Sequence, residues 1–173
     1  MSRDVWNSTQ YQRYADERSR PFFDLLARVG ATSPATVADL GCGPGNLTVT
    51  LAERWPAAVV HGVDSSPDML QAAARYAVPG QVEFQLGTVQ DWQPATPVDV
   101  LVSNAALQWV PEHRELFRRL LGQVRPGGWF AFQVPGNFGA PSHVLLREVC
   151  RLAPWRDAVG DIPRPDPVAE PAD

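Results

Sequence analysis

Three glycines, each separated by one residue, occupy positions 41, 43 and 45 of this 173-residue chain, directly after the apolar and acidic run 37–40. Such a run predicts the end of a parallel strand, and the glycines let the backbone turn sharply and lie against a ligand. We expect Asn46 to cap a helix, because apolar residues at helical spacing follow it. The free N–H groups at such a helix start favour an electron-rich ligand above the glycines.

The glycine spacing and two acidic residues narrow the class of ligand. Dinucleotide-binding loops have G-x-G-x-x-G, whereas this loop has G-x-G-x-G, with Asp39 before it in the strand. A carboxylate there repels a pyrophosphate and attracts an ammonium group. Asp64 ends the next predicted strand, where an acid accepts hydrogen bonds from ribose hydroxyls. S-adenosylmethionine carries both groups, an ammonium group that suits Asp39 and ribose hydroxyls that suit Asp64. The alternative is an ordinary strand-turn-helix, but a loop and a downstream acid together favour a ligand site.

The next two strand ends also carry polar side chains. After the third predicted strand come Thr88, Val89 and Asp91, which offer an apolar surface and a polar group to an adenine ring. After the fourth, residues 103–109 place Asn104, Gln108 and Trp109 where a transferable methyl group would emerge. A simple turn with an anchoring Trp is the alternative. Exposed amides and a large ring at a crevice mouth favour a ligand.

The composition is that of a globular protein without basic clusters. Hydrophobic residues make up 45% and charged residues 20% of the chain, the net charge is −4, and all 15 basic residues are Arg. This argues against nucleic acid as a partner. No apolar run is long enough to predict a membrane span or a secretory signal, so we expect a cytoplasmic protein. Cys42 and Cys150 lack metal-ligand spacing, and we interpret both as packing thiols and expect no metal site.

Strand and helix patterns alternate along the chain and predict a doubly wound, mostly parallel α/β sheet. The predicted fold is one domain over residues 1–153 with a helical arm at 1–30, followed by a proline-rich tail at 154–173 that should form no regular element. Within the arm, Pro21 predicts a first helical turn and Gly30 a helix end. Ser142 predicts another cap. The predicted strands are 37–40, 59–64, 82–86, 98–102 and 129–134, the last entered by a turn at 125–128.

The glycine loop, residues 63–69 and residues 104–109 together resemble the S-adenosylmethionine-dependent methyltransferases of the Rossmann-like class. Further motifs at 17–21, 54–56, 91–94, 107–111 and 133–143 resemble the branch of that family that methylates trans-aconitate. Together with the strand-end motifs, the resemblance implies that the following residues bind the cofactor: Asp39, Gly41, Gly43, Gly45, Asp64, Ser65, Met69, Thr88, Val89 and Asn104. It gives as substrate-binding residues Tyr11, Arg18, Arg20, Gln108, Trp109 and His143.

The chemistry implied by this resemblance is methyl transfer to a carboxylate oxygen of a small polycarboxylic acid. Such an acid is ionised at neutral pH, so no general base is required and we assign no catalytic residue. Arginine forks suit the remaining carboxylates, and Arg18 and Arg20 are the candidates. Either of them is equally suited to the carboxylate of the cofactor. Another acceptor, such as a malonyl-type acyl thioester, fits the same chemistry.

The family pattern continues beyond the point where this sequence stops. Its sheets carry two further strands after the fifth, so we expect a sheet that is incomplete at its C-terminal edge. An uncovered fifth strand would expose Phe130 and Phe132 and favour self-association. The remaining alternative is a truncated domain that binds the cofactor without turnover.

Overall fold

The computed structural model describes residues 15–159 and residue 168. Tyr11 therefore lies outside the described residues, and for Arg18 only the helical backbone is described. The elements in chain order are α1 (Ala15–Leu26), β1 (Thr36–Leu40), α2 (Thr48–Arg54), β2 (Val59–Asp64), α3 (Pro67–Ala73), a 3₁₀ turn (Ala74–Tyr76), β3 (Val82–Leu86), β4 (Val98–Asn104), a 3₁₀ turn (Leu107–Trp109), α4 (His113–Leu121), β5 (Val124–Gln133), α5 (Pro141–Arg151) and α6 (Arg156–Val159).

The five strands form one parallel sheet in the order β3-β2-β1-β4-β5. The chain moves outward from β1 to β3 and then crosses to β4, on the other side of β1. The carboxyl ends of β1 and β4 therefore meet at the point where the direction of winding reverses, which is where ligands bind in open parallel sheets. The predicted doubly wound architecture is confirmed, and every strand pair described is parallel.

Helices cover both faces of the sheet with apolar side chains. On one face Phe22 of α1 and Leu51 of α2, exposed by 1% and 0%, pack with Val100 of β4 in the main core. On the other face the ring of Phe117 in α4 lies 4.7 Å from the ring of Phe132 and packs edge-on against Phe130 of β5. These two layers fix α2 and α4 relative to the strand ends that carry the polar residues.

The segment from α1 to β1 is fastened by side chains of residues 54 and 55. Arg54 donates hydrogen bonds to the carbonyl oxygens of Leu26, the last residue of α1, and of Val29 just after it, at 2.8 and 2.7 Å. The indole N–H of Trp55 donates to the carbonyl of Ala31 at 3.0 Å. The end of α1 is therefore held against α2.

Three local predictions about helix ends were wrong. Pro21 lies inside α1 and not in its first turn. Asn46 does not cap α2, because Leu47 is the N-cap residue, has helical backbone angles and makes no side-chain cap bond. Ser142 lies inside α5, whose N-cap residue is Ala140. In each case the helix starts at a residue other than the one that the proline or the polar side chain indicated.

Residues 125–128 do not form a separate turn before the fifth strand. They lie within β5, where the pairing shifts from Val98 opposite Val124 to Val100 opposite Trp129. Gly127 has φ +79° there, which suits a bulge that takes up the extra residues. The strand thus starts earlier than its apolar pattern indicated.

Asp99 holds the start of the sheet together beside this bulge. Its carboxylate accepts the backbone N–H groups of Ala35 and Thr36, at 2.6 and 2.8 Å, and forms an ion pair with Arg125. Burial opposes its ionisation, but the hydrogen bonds from Thr36 and Ala35 and the charge of Arg125 together hold the pKa of this carboxyl below its ordinary value. One side chain thereby links β1, β4 and β5.

Strand β5 lies at one end of the sheet, as predicted, and part of its apolar surface is exposed. Trp129 is 40% and Phe132 37% exposed, whereas Phe130 is half-buried beneath Phe117. The expectation of poor cover is therefore confirmed for Phe132 and only partly for Phe130.

The chain divides into two compact units, Met1–Gln133 and Val134–Asp173. The described part of the second unit consists of α5 and α6, and α6 is a single helical turn within the tail that we expected to lack regular structure. Its helix α5 carries exposed Leu145, Leu146 and Val149. Among the described helices, none is both long and apolar enough to span a membrane.

We predict that Asp99→Asn lowers the free energy of unfolding by about 1–3 kcal/mol at neutral pH, because a buried acceptor of several hydrogen bonds loses its charge. The folded-state pKa is depressed, so the advantage of the wild-type carboxylate is fully present above its ordinary pKa of 3.8 and is lost as the pH falls through the lower folded value. Urea unfolding from pH 3 to pH 7 measures this. Asp24→Asn, which removes an exposed carboxylate paired with Arg20, is the control and should change little.

Candidate functional site

A cleft of about 240 Å³ opens at the carboxyl ends of the central strands. Four segments enclose it: the glycine loop after β1, the end of β2, the loop after β3, and the end of β4 with the following 3₁₀ turn. The lining residues are Gly41, Gly43, Val63, Asp64, Ser65, Met69, Gly87, Thr88, Val89, Gln90, Asn104, Ala105, Ala106, Trp109 and Val110.

All three loop glycines have positive φ, of 79°, 56° and 78° for Gly41, Gly43 and Gly45. A Cβ on Gly41 would lie 2.2 Å from the Cβ of Ala106, so only glycine permits this approach between the ends of β1 and β4. Gly45 faces the protein interior, where a Cβ would meet Phe84 at 2.7 Å. Gly43 has open space at its Cβ position and lines the cleft. The three glycines therefore serve three different purposes.

The carboxylate of Asp64 lies between the glycine loop and the start of α3. One oxygen accepts the backbone N–H of Gly43 at 2.8 Å and the other accepts that of Ser66 at 2.9 Å. Strand β2 also supplies the carbonyl of Val63, which accepts the N–H of Gly41 at 2.8 Å. Asp64 thus lines the cleft while it holds the loop.

Asp39 lies behind the loop and does not line the cleft. It is 3% exposed, and its carboxylate accepts a hydrogen bond from the hydroxyl of Thr48 in α2 at 2.7 Å. Burial raises its pKa to about 6, the hydrogen bond from Thr48 opposes this, and the charge of Asp64 adds to it. At neutral pH the two carboxylates give this end of the cleft a negative potential that favours a cationic group.

Thr88 and Asp91 bond to each other in the loop after β3. The Thr88 hydroxyl donates to the Asp91 carboxylate at 2.7 Å and accepts the backbone N–H of Asp91 at 3.1 Å. Both side chains are therefore already partnered. Val89 is 9% exposed and gives this part of the cleft an apolar wall.

The end of β4 has an unusual backbone. Ala105 adopts φ +51°, a left-handed conformation that costs a residue with a Cβ about 1–3 kcal/mol. The side-chain amide of Gln108, 6% exposed, donates to the carbonyl of Ala105 at 2.6 Å and stabilises this turn. The amide oxygens of Asn104, Gln108 and Gln133 are buried without a hydrogen-bond partner among the described residues. Unpaired buried acceptors of this kind are rare in folded proteins.

Most of the predicted cofactor residues line the cleft, and of the predicted substrate residues Trp109 lines it as well. Those that line it are Gly41, Gly43, Asp64, Ser65, Met69, Thr88, Val89, Asn104 and Trp109. Asp39, Gly45 and Gln108 lie behind its wall. Arg20 is exposed on α1, 3.7 Å from Asp24. His143 belongs to the second unit, where its ring packs on Phe138.

Sequence reasoning missed six lining residues: Val63, Gly87, Gln90, Ala105, Ala106 and Val110. Five of them, all except Ala106, are next in sequence to a predicted site residue. Ala105 and Ala106 carry no chemical group, and only the backbone turn brings them to the cleft.

Cys42 is a packing thiol, as expected. Its side chain is 7% exposed and lies against Gly62, and burial followed by the charges of Asp39 and Asp64 raises the pKa of the thiol far above its ordinary value. The thiol stays protonated and is therefore unreactive at neutral pH. Within the described residues, no cluster of His, Cys, Asp and Glu suits a metal ion.

Comparison with solved structures supports the fold. A methyltransferase from Haloferax volcanii, in complex with the Trm112 activator, superposes with a TM-score of 0.68 at 24% identity over 87% of this chain and 72% of that one. An S-adenosylmethionine-dependent methyltransferase from Mesorhizobium loti gives 0.60 at 26% identity over 69% of this chain and 55% of that one.

Curated relatives are closer in sequence. The trans-aconitate 2-methyltransferase of Mycobacterium sp. (strain KMS) is 54% identical over 159 residues, and that of Rhodococcus jostii (strain RHA1) is 52% identical over the same length. Each match covers 92% of this chain and 61% of the relative, so the chain spans less than two thirds of these proteins.

The family model described as a methyltransferase domain matches residues 37–128. The match is longer than half of the chain and includes the glycine loop, Asp64 and the end of β4. The chain therefore belongs to the methyltransferase-domain family.

Proposed function

We propose that the cleft binds S-adenosylmethionine and that the chain contributes to methyl-ester formation on a carboxylate of trans-aconitate. The position of Asp64 carries the cofactor half of this proposal, because its carboxylate lines the cleft and binds the backbone N–H of Gly43, which lines the same cavity. The identity of the acceptor rests on the relatives, which are trans-aconitate 2-methyltransferases at 52–54% identity.

The cofactor residues divide the cleft into regions of different chemistry. Asp64 accepts hydrogen bonds from the ribose hydroxyls, since a carboxylate is a strong acceptor for a vicinal diol. Val89 supplies an apolar surface for the adenine ring and Met69 lines the same cavity. The amino-acid end lies over Gly41 and Gly43, where the negative potential of Asp39 favours an ammonium group. Gly45 acts indirectly, by letting the loop pack on Phe84.

Asn104 and Trp109 lie at the acceptor end of the cleft. Trp109 is 48% exposed and presents a large ring to an entering acid, and Asn104 offers an amide beside it. Gln108 acts through the Ala105 turn that it stabilises. Tyr11, Arg18, Arg20 and His143 remain candidates for contacts to the other carboxylates of the acceptor.

When bound, S-adenosylmethionine supplies a methyl group on a positively charged sulfur. A carboxylate oxygen of the acceptor would form the new bond to the methyl carbon as the carbon–sulfur bond broke, and the electron pair of that bond would stay on sulfur, which would become neutral. The products would be the methyl ester and S-adenosylhomocysteine, with no proton transferred. The protein then acts by aligning the reacting groups and excluding water, so no side chain needs to serve as a base.

Self-association is a second proposal with its own observation. Trp129 and Phe132 are exposed on β5 at one end of the sheet, and an apolar sheet edge favours pairing with a second copy. The competing function is that of a domain that binds S-adenosylmethionine without transferring its methyl group.

We predict that the chain transfers tritium-labelled methyl from S-adenosylmethionine to trans-aconitate and yields a product that is released by mild base, as an ester is. Cis-aconitate and a malonyl thioester serve as comparison acceptors. Faster transfer to either one would reassign the acceptor. Cofactor binding without transfer to any acid would support the non-catalytic domain.

We also predict that Asp64→Asn weakens the binding of S-adenosylhomocysteine by about 5- to 150-fold, because one charged acceptor of ribose hydrogen bonds is lost. Isothermal titration calorimetry measures this. Glu83→Gln is the matched control, since it removes an exposed carboxylate from the adjacent strand, and it should leave the affinity unchanged. Equal affinity of wild type and Asp64→Asn would remove Asp64 from the ribose site.

A further inference from the structure

Arg119 reaches from α4 to the loop after β3. In the last turn of that helix, its two terminal nitrogens donate to the carbonyl oxygens of Trp92 and Val89, at 2.7 and 2.5 Å. These acceptors are 27 and 30 residues away in sequence. A single guanidinium group therefore bridges two peptide groups of a distant loop.

The loop that Arg119 contacts, residues 87–92, forms one wall of the cleft. Its residues Gly87, Thr88, Val89 and Gln90 line the cavity. Several of its polar contacts are internal: Thr88 bonds to Asp91, and the N–H of Trp92 donates to the carbonyl of Thr88 at 3.0 Å. Such bonds set the shape of the loop but not its distance from the opposite wall.

Two groups of backbone contacts attach this loop to the rest of the described protein. At its start, the N–H of Gly87 donates to the carbonyl of Asp64 at 3.0 Å. At its far end, the attachment comes from Arg119, with the buried side chains of Val89 and Trp92 beside it. Bonds from a charged donor are stronger than neutral ones, and the planar fork fixes the orientation of both carbonyls.

The geometry points to Arg119 as a positioning residue that holds residues 87–92 where Thr88, Val89 and Gln90 contact the adenine ring of the cofactor. Because its fork turns the carbonyl of Val89 towards α4, the loop keeps its cavity-lining side against the ligand. The same helix follows Trp109 and Val110, so both walls of the cleft are tied to α4. This inference rests on the proposed cofactor site but assigns a residue that does not line it.

Two variants of Arg119 and one control test the inference. Arg119→Met keeps the length of the side chain and removes both donors, and Arg119→Lys keeps the charge but cannot form the fork. Arg118→Met removes the same charge from the same helix turn at an exposed position. Thermal unfolding of all three variants first confirms that each one folds. If Arg119→Met does not fold, Arg119→Lys carries the test.

Hydrogen exchange tests the attachment without any ligand. The amides of residues 88–92 should exchange several-fold faster in Arg119→Met than in wild type or Arg118→Met. Calorimetry with S-adenosylhomocysteine tests the consequence. The dissociation constant should rise roughly tenfold in Arg119→Met and less in Arg119→Lys, with no change in Arg118→Met.

Unchanged loop exchange in Arg119→Met, or a loss of affinity equal to that in Arg118→Met, would overturn the positioning role. Failure of the wild-type chain to bind S-adenosylhomocysteine would instead count against the proposed function. In that case the exchange of residues 88–92 still decides whether Arg119 holds the loop.

Discussion

The close approach of Gly41 to Ala106 is the constraint on which the cleft depends. A methyl group on Gly41 would lie 2.2 Å from the Cβ of Ala106, which is inside any allowed contact. The ends of β1 and β4 can therefore come together only while residue 41 is glycine with a left-handed backbone. This contact sets the width of the cleft at the point where the winding of the sheet reverses, and Asp64 then fixes the rest of the loop through the N–H of Gly43.

The electrostatics of the cleft follow from the same arrangement. Asp39 is buried by the loop and by α2, which raises its pKa to about 6, and it lies close enough to Asp64 for the two charges to interact. Holding two carboxylates near each other is unfavourable in the empty protein, and a bound cation relieves the repulsion. The fold thus favours a ligand that has a positive group at one end and hydroxyl groups in the middle.

Much of the architecture could be predicted because it depends on short-range patterns. The strand that ends at Asp64 and the strand 82–86 were predicted at their observed bounds, since apolar runs between turn residues specify buried parallel strands. Asn46 and Ser142 were misleading as caps because a polar residue only permits a helix start. The role of Arg119 could not be predicted, since its acceptors at Val89 and Trp92 become neighbours only after folding.

A calorimetric titration of S-adenosylhomocysteine into wild type, Gly41→Ala and Gly80→Ala tests directly whether the cleft depends on glycine at position 41. Gly80 has φ +76° with open space at its Cβ position, so its replacement adds the same backbone strain without crowding. We expect tight binding to wild type and Gly80→Ala and loss of binding in Gly41→Ala, with circular dichroism showing that all three are folded. Equal binding by a folded Gly41→Ala would contradict that dependence.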